Sequence, residues 1–175
     1  DQIIVATVTP DRLFPSTACT LQDKFGVLGN SAVDVSAACS GFVYGLGMAG
    51  GMISAGLLDR VLVIGVETLS KLINWKDRGT CVLFGDGAGA FVVSAEDGDA
   101  RGIEAVSVHA DGQYAQKMWV PAGGSRYRPY FEPEMYENGS TVPIVEGREV
   151  FKIAVTYMPE AVYSILADNG YTLDD

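Results

Sequence analysis

Short runs of β-branched and other apolar residues alternate along this chain with longer stretches of helical character. The apolar runs predict five strands, which span residues 3–7, 32–36, 60–66, 90–94 and 103–110. The helical stretches predict three helices, which span residues 17–25, 39–55 and 148–169. Ser16 is a suitable N-cap for the first helix and Gly26 stands just past its end. Strands that alternate with helices in this way are typical of a mixed α/β fold.

One compositional break divides the chain. The acidic, turn-forming run at 97–99 indicates a hinge between a first domain, 1–98, and a second, 99–175. A polar and aromatic stretch at 111–143 is too long for a structureless loop in a compact domain, so it is either functional or partly ordered. The chain starts on Asp1 almost directly in a strand and stops soon after a helix, so we expect a piece of something longer.

Composition and charge exclude several classes of protein. Hydrophobic residues make up 48% of the 175 positions and charged residues 19%, which excludes intrinsic disorder. The net charge of −10 disfavours nucleic-acid binding, because phosphate recognition needs a basic surface. No run reaches 18 apolar residues and no signal peptide is apparent, so we expect a soluble cytoplasmic protein without a membrane segment. Three cysteines without CxxC spacing favour neither disulfides nor a metal site.

Cys39 stands where a buried strand gives way, through small residues, to a helix. The unsatisfied N–H groups and the positive dipole end of a helix favour a thiolate there. The N–H of Cys39 could also donate to an oxyanion formed beside the sulfur. The alternative is a small, buried, inert hydrophobic residue, since free cysteines are among the most buried residue types.

The helix after Cys39 is unusually rich in glycine, and each glycine costs about 1 kcal/mol relative to alanine in a helix interior. That cost predicts close approach of another backbone and burial between layers. Residues 45–50 also match the dinucleotide fingerprint, and Glu67 follows at a suitable distance. The fingerprint requires its first glycine at a strand end, which is not the case here. A Rossmann-type dinucleotide-binding domain is therefore less favoured, and it is kept as the alternative of another class.

Four motifs together resemble one enzyme family. The run DVSAACSGF at 34–42 resembles the active-site motif of β-ketoacyl-acyl-carrier-protein synthase III, a thiolase-fold condensing enzyme. Further similar segments lie in order along the chain, at 13–19, 75–90 and 147–152. The resemblance implies a thiolase-like α/β fold of layered mixed sheets and helices, incomplete here because the chain starts after the family's first strands.

The resemblance also implies roles for individual residues. A cysteine at the position of Cys39 takes an acyl group from acyl-coenzyme A and delivers it to malonyl-acyl carrier protein with loss of carbon dioxide. Arg78, and more weakly Trp75, match positions near the coenzyme A nucleotide. Phe14 matches a residue that crosses the family's dimer interface and limits the acyl pocket, and Phe84 matches a residue that lines this pocket. Ordinary packing is the alternative for Trp75 and Phe14.

The sequence departs from the family in one respect. Condensation there needs a histidine and an asparagine from the second half, and neither motif is present; the one histidine, His109, is expected to be structural. The resemblance implies a cytoplasmic homodimer of fatty acid synthesis with acyl-coenzyme A as substrate and no cofactor or metal. Alternatives are a polyketide or signal-molecule synthase of the same fold and a non-catalytic interaction domain. The basic residues of the long loop, Lys117, Arg126 and Arg128, are expected to be solvated rather than to dock a carrier protein.

Overall fold

The computed structural model describes residues 1–95 and 102–175. The predicted hinge at 97–99 and the predicted domain boundary at 98/99 lie outside the described residues, so this division stays a prediction. Chain contacts define two compact units. The first consists of Asp1–Thr68 and Asp86–Val108, and the second of Leu69–Gly85 and His109–Asp175.

The first unit is built on a four-stranded mixed sheet. Its strands are β1 (Gln2–Ala6), β2 (Ser31–Val35), β3 (Arg60–Thr68) and β4 (Asp86–Ser94). The strand order is β2-β1-β3-β4, in which β1 is parallel to both β2 and β3, and β4 is antiparallel to β3. The carboxyl ends of the three parallel strands therefore meet at one edge of the sheet.

Two helices cover opposite faces of this sheet. They are α1 (Thr17–Phe25) and α2 (Gly41–Ser54). Successive side chains of a strand point to opposite faces, so β1 contributes to two apolar clusters. Ile3 and Val5 pack with Ala18 of α1, whereas Ile4 packs with Ala49 of α2. The three layers α1, sheet and α2 bury the central strands on both sides.

The glycines of α2 confirm the expected close approach in part. A β-carbon on Gly45 would lie 2.9 Å from Val63 Cγ1, and one on Gly41 would lie 3.1 Å from Ala6 Cβ. These two glycines let α2 lie directly on the sheet. Gly50 and Gly51 differ, because a β-carbon there would meet no described atom within 4 Å. The prediction that this helix is buried on every side is wrong for the described residues, since it leaves some side chains exposed.

The second unit contains two helices and a two-stranded sheet. Its elements are β5 (Met118–Trp119), α3 (Pro133–Glu137), β6 (Ile144–Val145) and α4 (Gly147–Asp168). β5 and β6 pair antiparallel, and Met118 lies opposite Val145. The polar stretch 111–143 is therefore partly ordered, which is one of the two alternatives predicted for it.

The predicted strand at 103–110 is wrong. These residues have no regular secondary structure, although their apolar and polar positions alternate. The alternation serves packing instead, because Val106 Cγ1 lies 3.1 Å from the place that a β-carbon on Gly47 would occupy. The other predicted strands and all three helices are present, with boundaries that differ by at most four residues.

One described helix, α4, is long and apolar enough to cross a membrane by length and composition alone, with a mean hydropathy of 1.2 over its best 18 residues. The core helices of soluble proteins meet the same criterion, so this is weak evidence for a membrane span. The expectation that the protein has no membrane segment stays a prediction.

Candidate active site

Cys39 is exposed at the start of the central helix. β2 ends at Val35, and a single 3₁₀ turn, Ala38–Ser40, leads directly into α2. Ala38 has φ +46°, a left-handed conformation that costs a residue with a β-carbon about 1–2 kcal/mol. Strained backbone of this kind concentrates at functional sites. The interpretation of Cys39 as a buried hydrophobic residue is wrong, because the residue is exposed.

The two helices of the first unit begin differently. At α1, Asp34 accepts hydrogen bonds from Thr17 N and Ala18 N, and Ser16 Oγ accepts one from Cys19 N at 3.2 Å. In the described part of the chain, no side chain caps either the 3₁₀ turn at Cys39 or α2 behind it. The first N–H groups of a helix have no intrahelical partner. Ser40 N already donates to Ala37 O at 3.2 Å and Gly41 N to Ala38 O, so the N–H of Cys39 is the one that can donate to a negatively charged oxygen on a group attached to the sulfur.

Phe14 lies in the loop that joins β1 to α1. Its side chain is 81% exposed and that of the neighbouring Leu13 is 70% exposed. The prediction of a simple core phenylalanine is wrong for the described residues. Exposure of two adjacent apolar side chains is expected of a segment that contacts another surface. The dimer contact of Phe14 stays a prediction.

Two carboxylates fix the ends of this loop, and sequence reasoning assigns neither of them to the site. Glu67 Oε1 accepts a hydrogen bond from Val8 N at 2.9 Å, and Glu67 Oε2 accepts one from Thr9 Oγ1 at 2.7 Å. Asp34, as described above, holds the first turn of α1. From sequence, Glu67 is considered only as the acidic partner of a dinucleotide fingerprint. Its position at the carboxyl end of a parallel strand is the signal that could have found it.

The dinucleotide fingerprint itself lacks its structural setting. Gly45 lies inside α2, whereas the preceding strand, β2, already ends at Val35. At Gly45, the first glycine of this match, the absence of a β-carbon lets α2 pack closely against Val63 of the sheet. The arrangement does not favour the Rossmann alternative.

Trp75, Arg78 and Phe84 lie together in one segment of the second unit. Trp75 and Arg78 are exposed and Phe84 is half-buried. Trp75 Nε1 donates a hydrogen bond to Ser70 O at 3.2 Å. The tight turn that carries Arg78 leaves this residue exposed, and its role near a coenzyme A nucleotide stays a prediction.

Asp77 organises this turn. Its carboxylate accepts hydrogen bonds from Thr80 Oγ1 at 2.6 Å and from Gly79 N at 2.9 Å, and its carbonyl accepts one from Cys81 N at 3.0 Å. The hydrogen bond from Thr80, followed by that from Gly79, lowers the pKa of Asp77 below its ordinary value of 3.8. Asp77 therefore fixes the backbone on both sides of Arg78, a role that sequence reasoning missed.

The remaining candidates are the basic residues of the long loop and His109. Lys117 Nζ lies 2.7 Å from Glu146 Oε2, and this hydrogen bond raises the pKa of Lys117. The pairing offsets one of the three positive charges of the long loop, in line with a solvated loop rather than a docking patch. His109 is exposed, and among the described residues no cluster of His, Cys, Asp or Glu could hold a metal ion.

Comparison with known proteins extends the likeness to the whole chain. The family model described as 3-oxoacyl-[acyl-carrier-protein (ACP)] synthase III matches residues 33–112. A β-ketoacyl-[acyl-carrier-protein] synthase III from Caldanaerobacter subterraneus subsp. tengcongensis is 50% identical over all 175 residues. The alignment covers 52% of that relative, so the chain spans about half the length of the curated relatives it matches.

Solved structures agree with the sequence comparison. The β-ketoacyl-[acyl carrier protein] synthase III of Thermus thermophilus superimposes with a TM-score of 0.86 at 39% identity, over 100% of this chain and 52% of that one. A priming β-ketosynthase from the R1128 polyketide biosynthetic pathway superimposes with a TM-score of 0.82 at 28% identity, over 100% of this chain and 50% of that one. These matches confirm the predicted thiolase-like α/β fold.

Proposed function

Because the chain belongs to the 3-oxoacyl-[acyl-carrier-protein] synthase III family, we propose that it carries the nucleophile of a cytoplasmic acyltransferase that initiates fatty acid synthesis. The acyl donor is an acyl-coenzyme A and the acceptor is malonyl-acyl carrier protein. The observation that carries this proposal is the position of Cys39. The residue is exposed, directly follows the strained Ala38, and stands at a helix start that no described side chain caps.

In the first step the Cys39 sulfur attacks the thioester carbonyl of acyl-coenzyme A. The new carbon–sulfur bond forms as the carbonyl becomes an oxyanion, and the N–H of Cys39 donates to this oxygen. The bond to the coenzyme A sulfur then breaks, which leaves an acyl-cysteine thioester and free coenzyme A thiolate. Cysteine suits the exchange because it is both a good nucleophile and a good leaving group.

In the second step the malonyl group loses carbon dioxide, and the carbanion so formed attacks the acyl-cysteine carbonyl. The bond to the Cys39 sulfur breaks, so the thiolate returns and the product stays on the carrier protein. A carbanion of this kind needs hydrogen-bond donors in the active site. This sequence lacks the family's histidine and asparagine motifs, so we expect the 175-residue chain alone to transfer acyl groups without condensing them.

The other predicted residues take supporting roles in this proposal. Arg78 binds the nucleotide phosphates of coenzyme A, with Trp75 against the same nucleotide, and Asp77 holds the turn that presents Arg78. Phe14 and Phe84 limit the space for the acyl chain, and Phe14 does so from the partner of a homodimer. No cofactor is needed, because both substrates arrive as activated thioesters.

A second candidate is the synthesis of a polyketide starter by the same chemistry. It is favoured by the likeness to the priming β-ketosynthase, although that structure is only 28% identical. The two functions share Cys39 and differ in the acyl group and in the carrier protein. Comparison of acetyl-coenzyme A with longer acyl-coenzyme A donors, each with a fatty acid and a polyketide carrier protein, separates them.

Carbon dioxide release tests the proposed reaction. The protein expressed from its complete gene is incubated with acetyl-coenzyme A and with malonyl-acyl carrier protein labelled in its carboxyl carbon. We expect release of labelled carbon dioxide that depends on acetyl-coenzyme A and is lost in Cys39→Ser. Release of labelled carbon dioxide by the 175-residue chain alone would contradict the expectation that this chain transfers acyl groups without condensing them. A donor-dependent rate unchanged in Cys39→Ser would contradict the role of Cys39.

A further inference from the structure

Both ends of the loop that carries Phe14 are held by carboxylates from other strands. The loop leaves β1 at Thr7 and enters α1 at Thr17. Between these points Leu13 and Phe14 are 70% and 81% exposed. An exposed loop tip that must act on a substrate needs fixed ends, because otherwise ordering it on binding costs conformational entropy.

Glu67 fixes the start of the loop. One oxygen of its carboxylate accepts from the backbone N–H of Val8 at 2.9 Å, and the other accepts from the Thr9 hydroxyl at 2.7 Å and from the Thr7 hydroxyl at 3.5 Å. The Thr9 hydroxyl oxygen in turn accepts from Thr68 N at 2.9 Å. Three consecutive loop residues are thereby bound to the carboxyl end of β3.

Asp34 fixes the end of the loop. Its two oxygens accept from Thr17 N at 2.7 Å and from Ala18 N at 2.9 Å, across 17 and 16 positions of sequence. Hydrogen bonds from N–H groups to a carboxylate are stronger than those between neutral groups. Asp34 therefore ties the first turn of α1, and the loop that precedes it, to β2.

The same sheet edge carries Cys39. Thr7 N donates to Val35 O at 3.1 Å, so the loop begins against the last residue of β2. A β-carbon on Gly41 would lie 3.1 Å from Ala6 Cβ, so the helix that follows Cys39 lies against the last residue of β1. The loop ends and the cysteine turn are thus built on neighbouring strand ends of one sheet.

We propose that Glu67 and Asp34 are positioning residues that set acyl-group selectivity by fixing the place of Phe14, which limits the acyl pocket of the partner in the homodimer. Neither carboxylate contacts the acyl group; each acts through the loop backbone. The inference rests on the proposed function, in which Phe14 limits the acyl pocket. Loss of either anchor allows the Phe14 side chain to shift, which widens the range of acyl chains that fit.

The test uses the protein from its complete gene and two acyl donors, acetyl-coenzyme A and hexanoyl-coenzyme A. Glu67→Gln and Asp34→Asn keep the side-chain volume and remove one acceptor oxygen each. Thr9→Val removes the hydroxyl between Glu67 and Thr68 and serves as a milder variant. Asp23→Asn, an exposed carboxylate on α1, is the matched control. Phe14→Ala removes the side chain through which the anchors are proposed to act.

We expect the ratio of kcat/KM for acetyl against hexanoyl donors to fall by at least about fivefold in the anchor variants, within the range that pocket changes produce. The ratio should stay at the wild-type value in Asp23→Asn. The rate of Cys39 alkylation by iodoacetamide should stay within about twofold of wild type in every variant, because helix capping at α1 does not alter the cysteine turn. In the Phe14→Ala background, Glu67→Gln should change the ratio no further.

Three results would overturn the inference. They are an unchanged ratio in Glu67→Gln, Asp34→Asn and Thr9→Val, an unchanged ratio in Phe14→Ala, and full additivity of Glu67→Gln with Phe14→Ala. A loss of Cys39 alkylation parallel to the loss of activity would also count against it, since it indicates general damage. Failure of the wild-type protein to acylate Cys39 refutes the proposed function instead, so the two failures are distinguishable.

Discussion

The carboxylate of Asp34 accepts a hydrogen bond from the backbone N–H of Thr17 at 2.7 Å, across the gap between a strand and the start of a helix. Together with Ala18 N on Asp34 and Cys19 N on Ser16, this satisfies the first three N–H groups of α1. No described side chain does the same at the Cys39 turn. The start of α1 is thus closed by side chains, whereas the Cys39 turn is closed by backbone hydrogen bonds, from Ser40 N to Ala37 O and from Gly41 N to Ala38 O.

We expect Cys39 to be the most reactive cysteine of the folded chain. Iodoacetamide should alkylate Cys39 at least about threefold faster than Cys19 or Cys81, because Cys39 is exposed and the other two are half-buried. In urea the three rates should converge. Peptide mapping measures each cysteine separately.

Cys19 and Cys81 are internal controls for this experiment. Both are half-buried, so folding should slow their alkylation. A rate at Cys39 in the folded chain that is no faster than the rates at Cys19 and Cys81 would contradict the exposed position of Cys39.

Two glycines of α2 should respond oppositely to alanine. Gly45→Ala places a methyl group 2.9 Å from Val63 Cγ1 in the buried core, and we expect a loss of about 1–2 kcal/mol in the free energy of unfolding. Gly50→Ala meets no described atom within 4 Å, so the gain in helix propensity should stabilise the chain by about 0.5–1 kcal/mol. Urea unfolding measures both; destabilisation by Gly50→Ala equal to that by Gly45→Ala would show that the packing is misassigned.

Asp77 should make its turn sensitive to acid. Hydrogen bonds from Thr80 and Gly79 lower its pKa below 3.8, so the bonds stabilise the folded turn above that pH and are lost as pH falls through the lowered value. Asp77→Asn should reduce the hydrogen-exchange protection of the Gly79 amide at neutral pH. The variant and the wild type should converge well below 3.8, and equal protection at neutral pH would refute the role of Asp77.

Local signals in the sequence account for much of the fold. The predicted bounds of α1 coincide with the observed helix, because Ser16 caps its start and Gly26 ends it with φ +68°. Strand alternation locates β1 to β4 within a few residues. Alternation wrongly predicts a strand at 103–110, because the apolar side chain of Val106 packs on α2 and this segment joins no sheet.

The chemistry of the site is less accessible from sequence. The place of Cys39 at a strand-to-helix junction follows from the residues around it, but the left-handed Ala38 does not, because alanine rarely adopts that conformation. The anchors Glu67 and Asp34 bond to residues 58–60 and 16–17 positions away. Contacts of that range depend on strand order, which no local pattern specifies.

Acyl transfer to one cysteine tests the central claim most directly. The protein expressed from its complete gene is incubated with acetyl-coenzyme A, and its intact mass and peptide map are recorded beside those of Cys39→Ser. We expect one acetyl group per chain, on the peptide that contains Cys39, and none on Cys39→Ser. A protein that stays unmodified, or that carries the acetyl group on Cys19 or Cys81, would contradict the assignment of Cys39 as the nucleophile.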